Sequence, residues 1–133
     1  MTRFNNCVGL ALLAGLMTTG VLVSAKADVK DFEFQLVQNE LKKGDAVVVV
    51  RLVDKRTKAP VPNAVIFAKR IDMAPDGMAT MAEKVEELPS TVPGEYRFKT
   101  NLSMQGRWQL SLGAKVQGET GSVQGKLIVK ALP

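Results

Sequence analysis

The stretch GEYRFKTNLSMQGRWQLSLG, residues 94–113, decides the fold class. Its first part alternates the aromatic residues Tyr96 and Phe98 with charged side chains. Its last part alternates three apolar residues with polar or small ones: Trp108, Leu110 and Leu112. Strict alternation is typical of strands with one buried face, because successive side chains point to opposite sides of a sheet. The stretch therefore predicts two strands with a hairpin-like connection between them.

Short strand-like runs recur in the rest of the chain, and no helix-period stripe of convincing length follows Asp28. Residues 32–37 alternate, residues 46–53 form an apolar run broken only by Arg51, and residues 64–70 and 123–129 supply two further strands. The run at 46–53 is typical of a strand buried between two layers. About seven strands predict an all-β fold, an immunoglobulin-like β-sandwich.

The segment from Asp72 to Met81, DMAPDGMATM, is predicted to be an irregular loop. Pro75 and Gly77 disfavour a regular helix or a central strand within it. A strand can resume between Thr80 and Leu88. The proline-rich segment 54–63 is a connection, and its prolines are expected to prevent strand pairing.

The N-terminal segment has the organisation of a secretory signal peptide. Arg3 precedes a mostly apolar run, and Ala25 and Ala27 form an A-x-A cleavage site. We expect residues 1–27 to be removed and residues 28–133 to form the mature domain in the periplasm of a two-membrane bacterium. The alternative is an uncleaved membrane anchor, since the run is only slightly shorter than a bilayer span.

Composition excludes several kinds of chemistry from the mature chain. The sequence has no histidine, and its one cysteine, Cys7, lies in the export segment. Histidine or cysteine zinc sites, Ser-His-Asp or Cys-His catalysis and disulfide scaffolds are therefore excluded, and we expect no enzyme activity. Cleavage would lower the net charge from +5 to +3. A mildly basic exported protein without aromatic residues among its clustered cations is not expected to bind nucleic acid.

Four methionines remain in the mature chain, and three of them, Met73, Met78 and Met81, lie within nine residues. Thioether sulfur is a soft, uncharged ligand that favours Cu(I) or Ag(I) over zinc, calcium or magnesium. Met104 is a further candidate ligand in the segment MQGRW, and Trp108 is a candidate wall for the same site through a cation–π contact.

Each of these residues also has a structural interpretation. Methionine is an adaptable apolar filler, and a single tryptophan in a small sandwich usually anchors the core. Asp72 and Asp76 flank the sulfurs, and we interpret them as turn formers whose side chains bond to the backbone rather than as oxygen ligands.

Three strings resemble the FixH/YtkA-like family of exported bacterial β-sandwich domains: KAPVPNAVIFAKR, DMAPDGMATM and VPGEYRFKTNLSMQGRWQLSLGAKVQGE. The resemblance covers roughly Phe32 to Ala131. It implies an immunoglobulin-like fold and an association with copper handling, heavy-metal efflux or cytochrome oxidase assembly. The family-like methionines match Met73, Met78 and Met81, followed by the pair Met104 and Trp108.

These observations lead to a functional hypothesis and one rival. The hypothesis is a periplasmic metallochaperone or efflux accessory, expected to be a monomer, that binds Cu(I), with Ag(I) as a second candidate. It would pass the ion to a membrane efflux pump or adaptor, or to a cytochrome oxidase assembly factor. The rival is an immunoglobulin-like interaction module whose methionines contact such a partner protein without binding metal.

Overall fold

The computed structural model describes residues 29–133, so the predicted signal peptide and its cleavage site lie outside the described residues. This part of the chain folds into nine strands and two 3-10 turns, Val29–Asp31 and Ala74–Asp76. The strands, in chain order, are β1 Phe32–Leu36, β2 Glu40–Lys42, β3 Gly44–Asp54, β4 Ala64–Met73, β5 Met78–Glu83, β6 Glu86–Leu88, β7 Glu95–Leu102, β8 Gly106–Val116 and β9 Val123–Leu132. Between residues 29 and 133, no helix has the length and apolar character needed to cross a bilayer.

The strands form two sheets with the strand order of an immunoglobulin domain. The four-stranded sheet has the order β1-β3-β7-β6 and the five-stranded sheet has the order β2-β9-β8-β4-β5. Apart from the short parallel pair of β2 with β9, the pairing is antiparallel. The predicted all-β, immunoglobulin-like sandwich is therefore confirmed, with short strands β2 and β6 raising the count above seven.

The core lies between the sheets and contains the residues that alternation placed there. Tyr96, Phe98, Trp108, Leu110 and Leu112 are all buried, and the Trp108 side chain is completely enclosed. The described residues contain no cysteine, so apolar packing between the two faces holds the sheets together.

Strand β3 is fully buried on its inner face and only partly on its outer face, which corrects the expectation of a strand covered on both sides. Val48, Val50 and Leu52 are fully buried, whereas Val47 and Val49 on the other face are half-buried. Among residues 29–133, the outer face of β3 is buried only at Val53, which is bridged to Pro60, so the continuous apolar run reflects β propensity as well as burial.

The proline-rich connection after β3 is not entirely unpaired. Pro60 forms an isolated bridge with Val53, and the Val61 N–H donates to the Leu52 carbonyl at 2.9 Å. The Tyr96 hydroxyl donates to the Val61 carbonyl at 2.6 Å and accepts from the Ala64 N–H at 3.1 Å. This hydroxyl therefore links β7 to the connection and to the first residue of β4.

The methionine segment is more regular than predicted. Strand β4 continues to Met73 and β5 begins at Met78, so only residues 74–77 leave the sheet. Pro75 sits in the 3-10 turn, and Gly77 ends that turn with φ +76°, a left-handed conformation that favours glycine. Proline and glycine are thus confined to a tight hairpin connection instead of disrupting ten residues.

The strand predicted between Thr80 and Leu88 is divided between the two sheets. Met78, Ala82 and Glu83 of β5 pair with β4, and residues 86–88 pair with β7. Lys84 and Val85 carry the chain across, and the Lys84 carbonyl accepts a hydrogen bond from the Thr100 hydroxyl at 2.8 Å. Because the chain crosses to the other sheet here, its pairing with β4 ends at Glu83.

Candidate metal centre

Three methionines meet where β4 turns into β5. Met73 and Met78 are direct partners across the two strands, whereas the preceding residue, Asp72, pairs with Ala82. This register shift leaves residues 79–81 as an extra loop of β5, and Met81 is the neighbour of Ala82. The bulge therefore brings both ends of the segment 78–81 close to Met73.

The methionines differ in their access to solvent. The Met73 side chain is completely buried in the core cluster. Met78 and Met81 are half-buried and pack against that cluster. Met104 is 39% exposed. Met78, Met81 and Met104 are therefore the methionines that have solvent-exposed surface, whereas Met73 has none.

The turn that carries Met104 is attached to this hairpin on both sides. On one side, the Ser103 hydroxyl donates to Glu83 Oε1 of β5 at 2.7 Å. On the other side, the Arg107 N–H and Nε each donate to the Asp76 carboxylate at 2.8 Å. These two attachments place the Met104 backbone at the same corner of the sandwich as the other methionines.

Gly106 allows this turn to approach Met73 closely. A Cβ at this position would lie 2.6 Å from the Met73 methyl carbon and 2.6 Å from Asp76 Oδ2. The φ of Gly106 is +140°, which side-chain-bearing residues rarely adopt. The methyl end of Met73 is therefore covered by the backbone of the Met104 turn.

Trp108 supports the position of Met104 through its backbone. The buried indole Nε1 donates to the Met104 carbonyl at 2.9 Å, while the ring fills the core. The structural interpretation, a core anchor, is confirmed for this residue. The hydrogen bond adds a link to the candidate ligand that sequence alone does not reveal.

The two aspartates bind backbone and guanidinium groups. Asp72 Oδ1 accepts from the Ala74 N–H at 2.9 Å, which confirms its role in the turn, and Oδ2 accepts from Arg70 Nε at 2.8 Å. Asp76 is held by Arg107, whose backbone N–H and guanidinium lower the pKa of the Asp76 carboxyl. Both carboxylates already have donors, so they are poorly suited to be metal ligands.

Sequence reasoning missed the ion pair between Asp76 and Arg107. The two residues are separated by 31 positions, and neither forms part of a recognisable motif. Arg107 also donates to the Pro75 carbonyl at 2.8 Å, so one side chain fixes both the acid and the backbone of the 3-10 turn. Only the neighbouring positions of β8 and the hairpin reveal this contact.

The soft donors of this corner are uncharged thioethers, and its carboxylates, Asp72, Asp76 and Glu83, are hydrogen-bonded to neighbouring groups. Among residues 29–133, no group of three or more histidine, cysteine, aspartate or glutamate side chains is placed to hold a metal ion. Thioethers need no deprotonation and prefer soft monovalent ions. The donor types at this corner therefore fit Cu(I) or Ag(I) better than hard divalent cations.

Comparison with known families gives a match over most of the chain. The model of the YtkA-like family matches residues 26–113. The chain belongs to the YtkA-like family. The match includes the methionine hairpin, the Met104 turn and Trp108, so the whole candidate centre of this YtkA-like protein lies within the family-defining region. No curated protein matches the sequence.

Two solved structures resemble this YtkA-like protein at low sequence identity. The filamin domain of Lin-41 is 15% identical, with 80% of this chain and 95% of that chain covered and a TM-score of 0.49. The C-terminal domain of ZirS is 11% identical, with 100% of this chain and 88% of that chain covered and a TM-score of 0.47.

Proposed function

We propose that this YtkA-like protein is a periplasmic carrier that binds Cu(I), and also Ag(I), at the corner formed by the β4–β5 hairpin and the Met104 turn. The observation that carries the proposal is the placement of all four methionines of the described chain at this corner. Family membership supports it, because the family resemblance implies copper handling. The ion is cargo for an efflux system or an assembling oxidase rather than a resident cofactor.

Met78, Met81 and Met104 are the proposed capturing ligands because their side chains reach the surface. A shallow site of two or three thioethers suits a carrier, since exchange with a partner requires that the ion can leave. Met73 is a proposed fourth ligand that becomes available only when the 3-10 turn moves away from Gly106. Trp108 is a positioning residue in this proposal, because it holds the Met104 carbonyl.

The test is a Cu(I) titration of the protein in competition with a chromophoric chelator under anaerobic conditions. The variant Met78→Leu/Met81→Leu/Met104→Leu removes the accessible sulfurs while keeping most apolar volume. We expect it to weaken Cu(I) binding by about 100-fold or more, equivalent to about 2.7 kcal/mol. The comparison variant is Met73→Leu, which changes the buried sulfur. Because this sulfur becomes available only after the turn moves, we expect Met73→Leu to weaken binding by less than about tenfold.

Folding must be checked separately from binding. Methionine-to-leucine changes usually cost less than about 1.5 kcal/mol each, so the variants should keep a cooperative unfolding transition in urea. If the wild-type protein binds Cu(I) no more tightly than about 1 µM, the carrier proposal is wrong and the interaction-module alternative is favoured. Titration with Zn²⁺ is expected to show no competition, in agreement with the preference of thioethers for soft ions.

A further inference from the structure

The two sheets carry opposite charge. Strands β4, β8 and β9 of the five-stranded sheet carry six basic side chains and one carboxylate, Asp72, which is bonded to Arg70. The six are Lys69, Arg70, Arg107, Lys115, Lys126 and Lys130. Strands β2 and β5 of the same sheet add one basic residue and two carboxylates, Lys42, Glu40 and Glu83. The four strands of the other sheet carry six carboxylates and three basic residues. A net charge alone does not show this separation, which makes one face of the sandwich attractive to acidic partners.

Strand β4 has an open edge next to this basic face. Its residues 64–72 pair with β8 on one side, but β5 pairs with β4 only at residues 71–73. No other strand of the described chain pairs with residues 64–70 on that side. The Ala64 N–H is bonded to the Tyr96 hydroxyl, and the following residues present the unpaired N–H and C=O groups of an edge strand.

A groove begins at this open edge and extends over the outer face of the sheet. It has a volume of about 520 Å³ and is bounded by Phe67, Lys69 and Arg70 of β4 and by Val85 of the crossing between sheets. Its other side is formed by β8 and β9, through Ser111, Leu112, Gly113 and Gln124. No carboxylate lines it in the part of the chain that the structure describes. The Phe67 ring is 54% exposed and Val65 is 67% exposed, so apolar surface adjoins the unpaired backbone. Backbone, apolar and cationic groups are thus available together.

We propose that the open edge of β4 is a docking site for an extended acidic segment of a partner protein, which adds to the five-stranded sheet as an extra strand. Main-chain hydrogen bonds to β4 would supply affinity, and alternate side chains would supply specificity. Acidic side chains of the segment would face Lys69 and Lys115, which have no ion-pair partner among residues 29–133. Apolar side chains would contact Phe67 and Val85.

Charge decides between the possible occupants of this edge. A second copy paired symmetrically, β4 against β4, would bring the same basic strand against itself, which is unfavourable. An anionic membrane surface would satisfy the charges but not the unpaired backbone groups of β4. An extended acidic segment satisfies both, because it carries complementary charge and its own N–H and C=O groups.

The experiment uses the metal-free protein and a defined probe, an acetylated octapeptide that alternates glutamate and valine. We expect amide NMR shifts concentrated in residues 64–70 and adjoining parts of β8. A peptide of the same sequence with N-methylated alternate amides cannot form the added strand and should bind at least about tenfold more weakly. A lysine–valine peptide should produce no shift at β4.

Two double variants with the same charge change test the location. Lys69→Glu/Lys115→Glu alters the basic side chains at β4 and β8, whereas Lys42→Glu/Lys43→Glu alters the opposite end of the five-stranded sheet, at β2. The edge variant should weaken peptide binding by about tenfold or more, and the β2 variant by no more than about threefold. Far-ultraviolet circular dichroism and urea unfolding of both variants check that the fold is retained.

Several outcomes would overturn the proposal. These are no shift at about 1 mM peptide, equal binding of the N-methylated peptide, or equal losses in the two double variants. A concentration-dependent dimer that the edge variant abolishes would identify a second copy as the occupant. Binding to vesicles with anionic lipid that competes with the peptide would identify a membrane surface instead. None of these results depends on copper, so they leave the metal proposal unaffected.

Discussion

Strand β4 contains two halves with opposite environments. The half that ends at Met73 is covered by β5, by the 3-10 turn and by the Met104 turn, and its inward side chains Ile71 and Met73 are fully buried. The half that begins at Ala64 also buries its inward side chain, Ile66, but it has an unpaired edge and exposes Val65 and Phe67 on its outer face. The crossing of the chain at Lys84–Val85 creates this difference, because β5 leaves the sheet after Glu83.

The comparison shows that the segments packed beside β4, and not its strand propensity, decide which half is covered and which half has an open edge. Both halves are rich in residues that favour β structure, and both pair with β8. The half that ends at Met73 is covered by a turn that is held by an ion pair. The half that begins at Ala64 lies beside a groove. The proposed ion site and the proposed docking edge can therefore lie on one strand.

The largest expected difference separates Met73 from Phe67. Replacing Met73 by alanine should lower the free energy of unfolding by about 2–5 kcal/mol, because a fully buried side chain leaves a cavity. Replacing Phe67 by alanine should cost less than about 1 kcal/mol, because the ring is 54% exposed. Urea unfolding measures both. Similar losses would show that the two halves are equally packed.

Two glycines of β8 provide a second contrast. An alanine at Gly106 would adopt an unfavourable φ of +140° and place its Cβ against Asp76 and the Met73 methyl, so we expect a loss of about 1–3 kcal/mol. An alanine at Gly113 would meet the Phe67 ring at 2.9 Å, and the exposed ring can move. Its effect should stay within about 1 kcal/mol. The comparison would be wrong if Gly113→Ala lowered the free energy of unfolding and Gly106→Ala left it unchanged.

Tyr96 tests how the open half is anchored. Phenylalanine at this position removes the hydrogen bonds to Val61 and Ala64, so we expect a loss of about 1–3 kcal/mol. Hydrogen exchange should accelerate at residues 64–66 more than at 71–73. Burial raises the pKa of the Tyr96 hydroxyl, so the neutral donor persists at mildly alkaline pH. Uniform acceleration along β4 would contradict a local anchor.

The smallest effect concerns the Asp76 carboxylate. Because Arg107 lowers its folded pKa, its contribution to stability is present above the unfolded pKa of about 4 and is lost as the pH falls through the folded value. Asp76→Asn should therefore lower stability at pH 7 and reduce the loss between neutral and strongly acidic pH. Urea midpoints across this range measure the difference.

The matched control for Asp76 is Asp54→Asn. The pKa of Asp54 is also lowered, in this case by Arg56 after β3. Both variants should reduce the acid sensitivity of stability, but only Asp76→Asn should shift the methyl NMR signal of Met73. If both variants shift that signal, or neither does, Asp76 is not a local part of the cover over Met73.

The sequence predicted the fold better than it predicted the site. Alternation identified the core positions Phe98, Trp108 and Leu110, because a period of two follows from strand geometry alone. The methionine segment was expected to be a ten-residue loop, but pairing with β8 and β5 extends both strands into it. Proline and glycine indicate that the strand is interrupted, but they do not show the length of the interruption. Pairing with neighbouring strands decides where each strand ends.

The identity of the proposed donors follows from the sequence by itself. The sequence has no histidine and its one cysteine is Cys7, so methionine supplies the soft sulfur donors of residues 29–133, and this is a matter of composition. Tertiary structure decided which sulfurs face solvent, how Arg107 secures the turn and why half of β4 lacks a neighbour. These features depend on contacts between residues far apart in the chain, and a local pattern carries no information about such contacts.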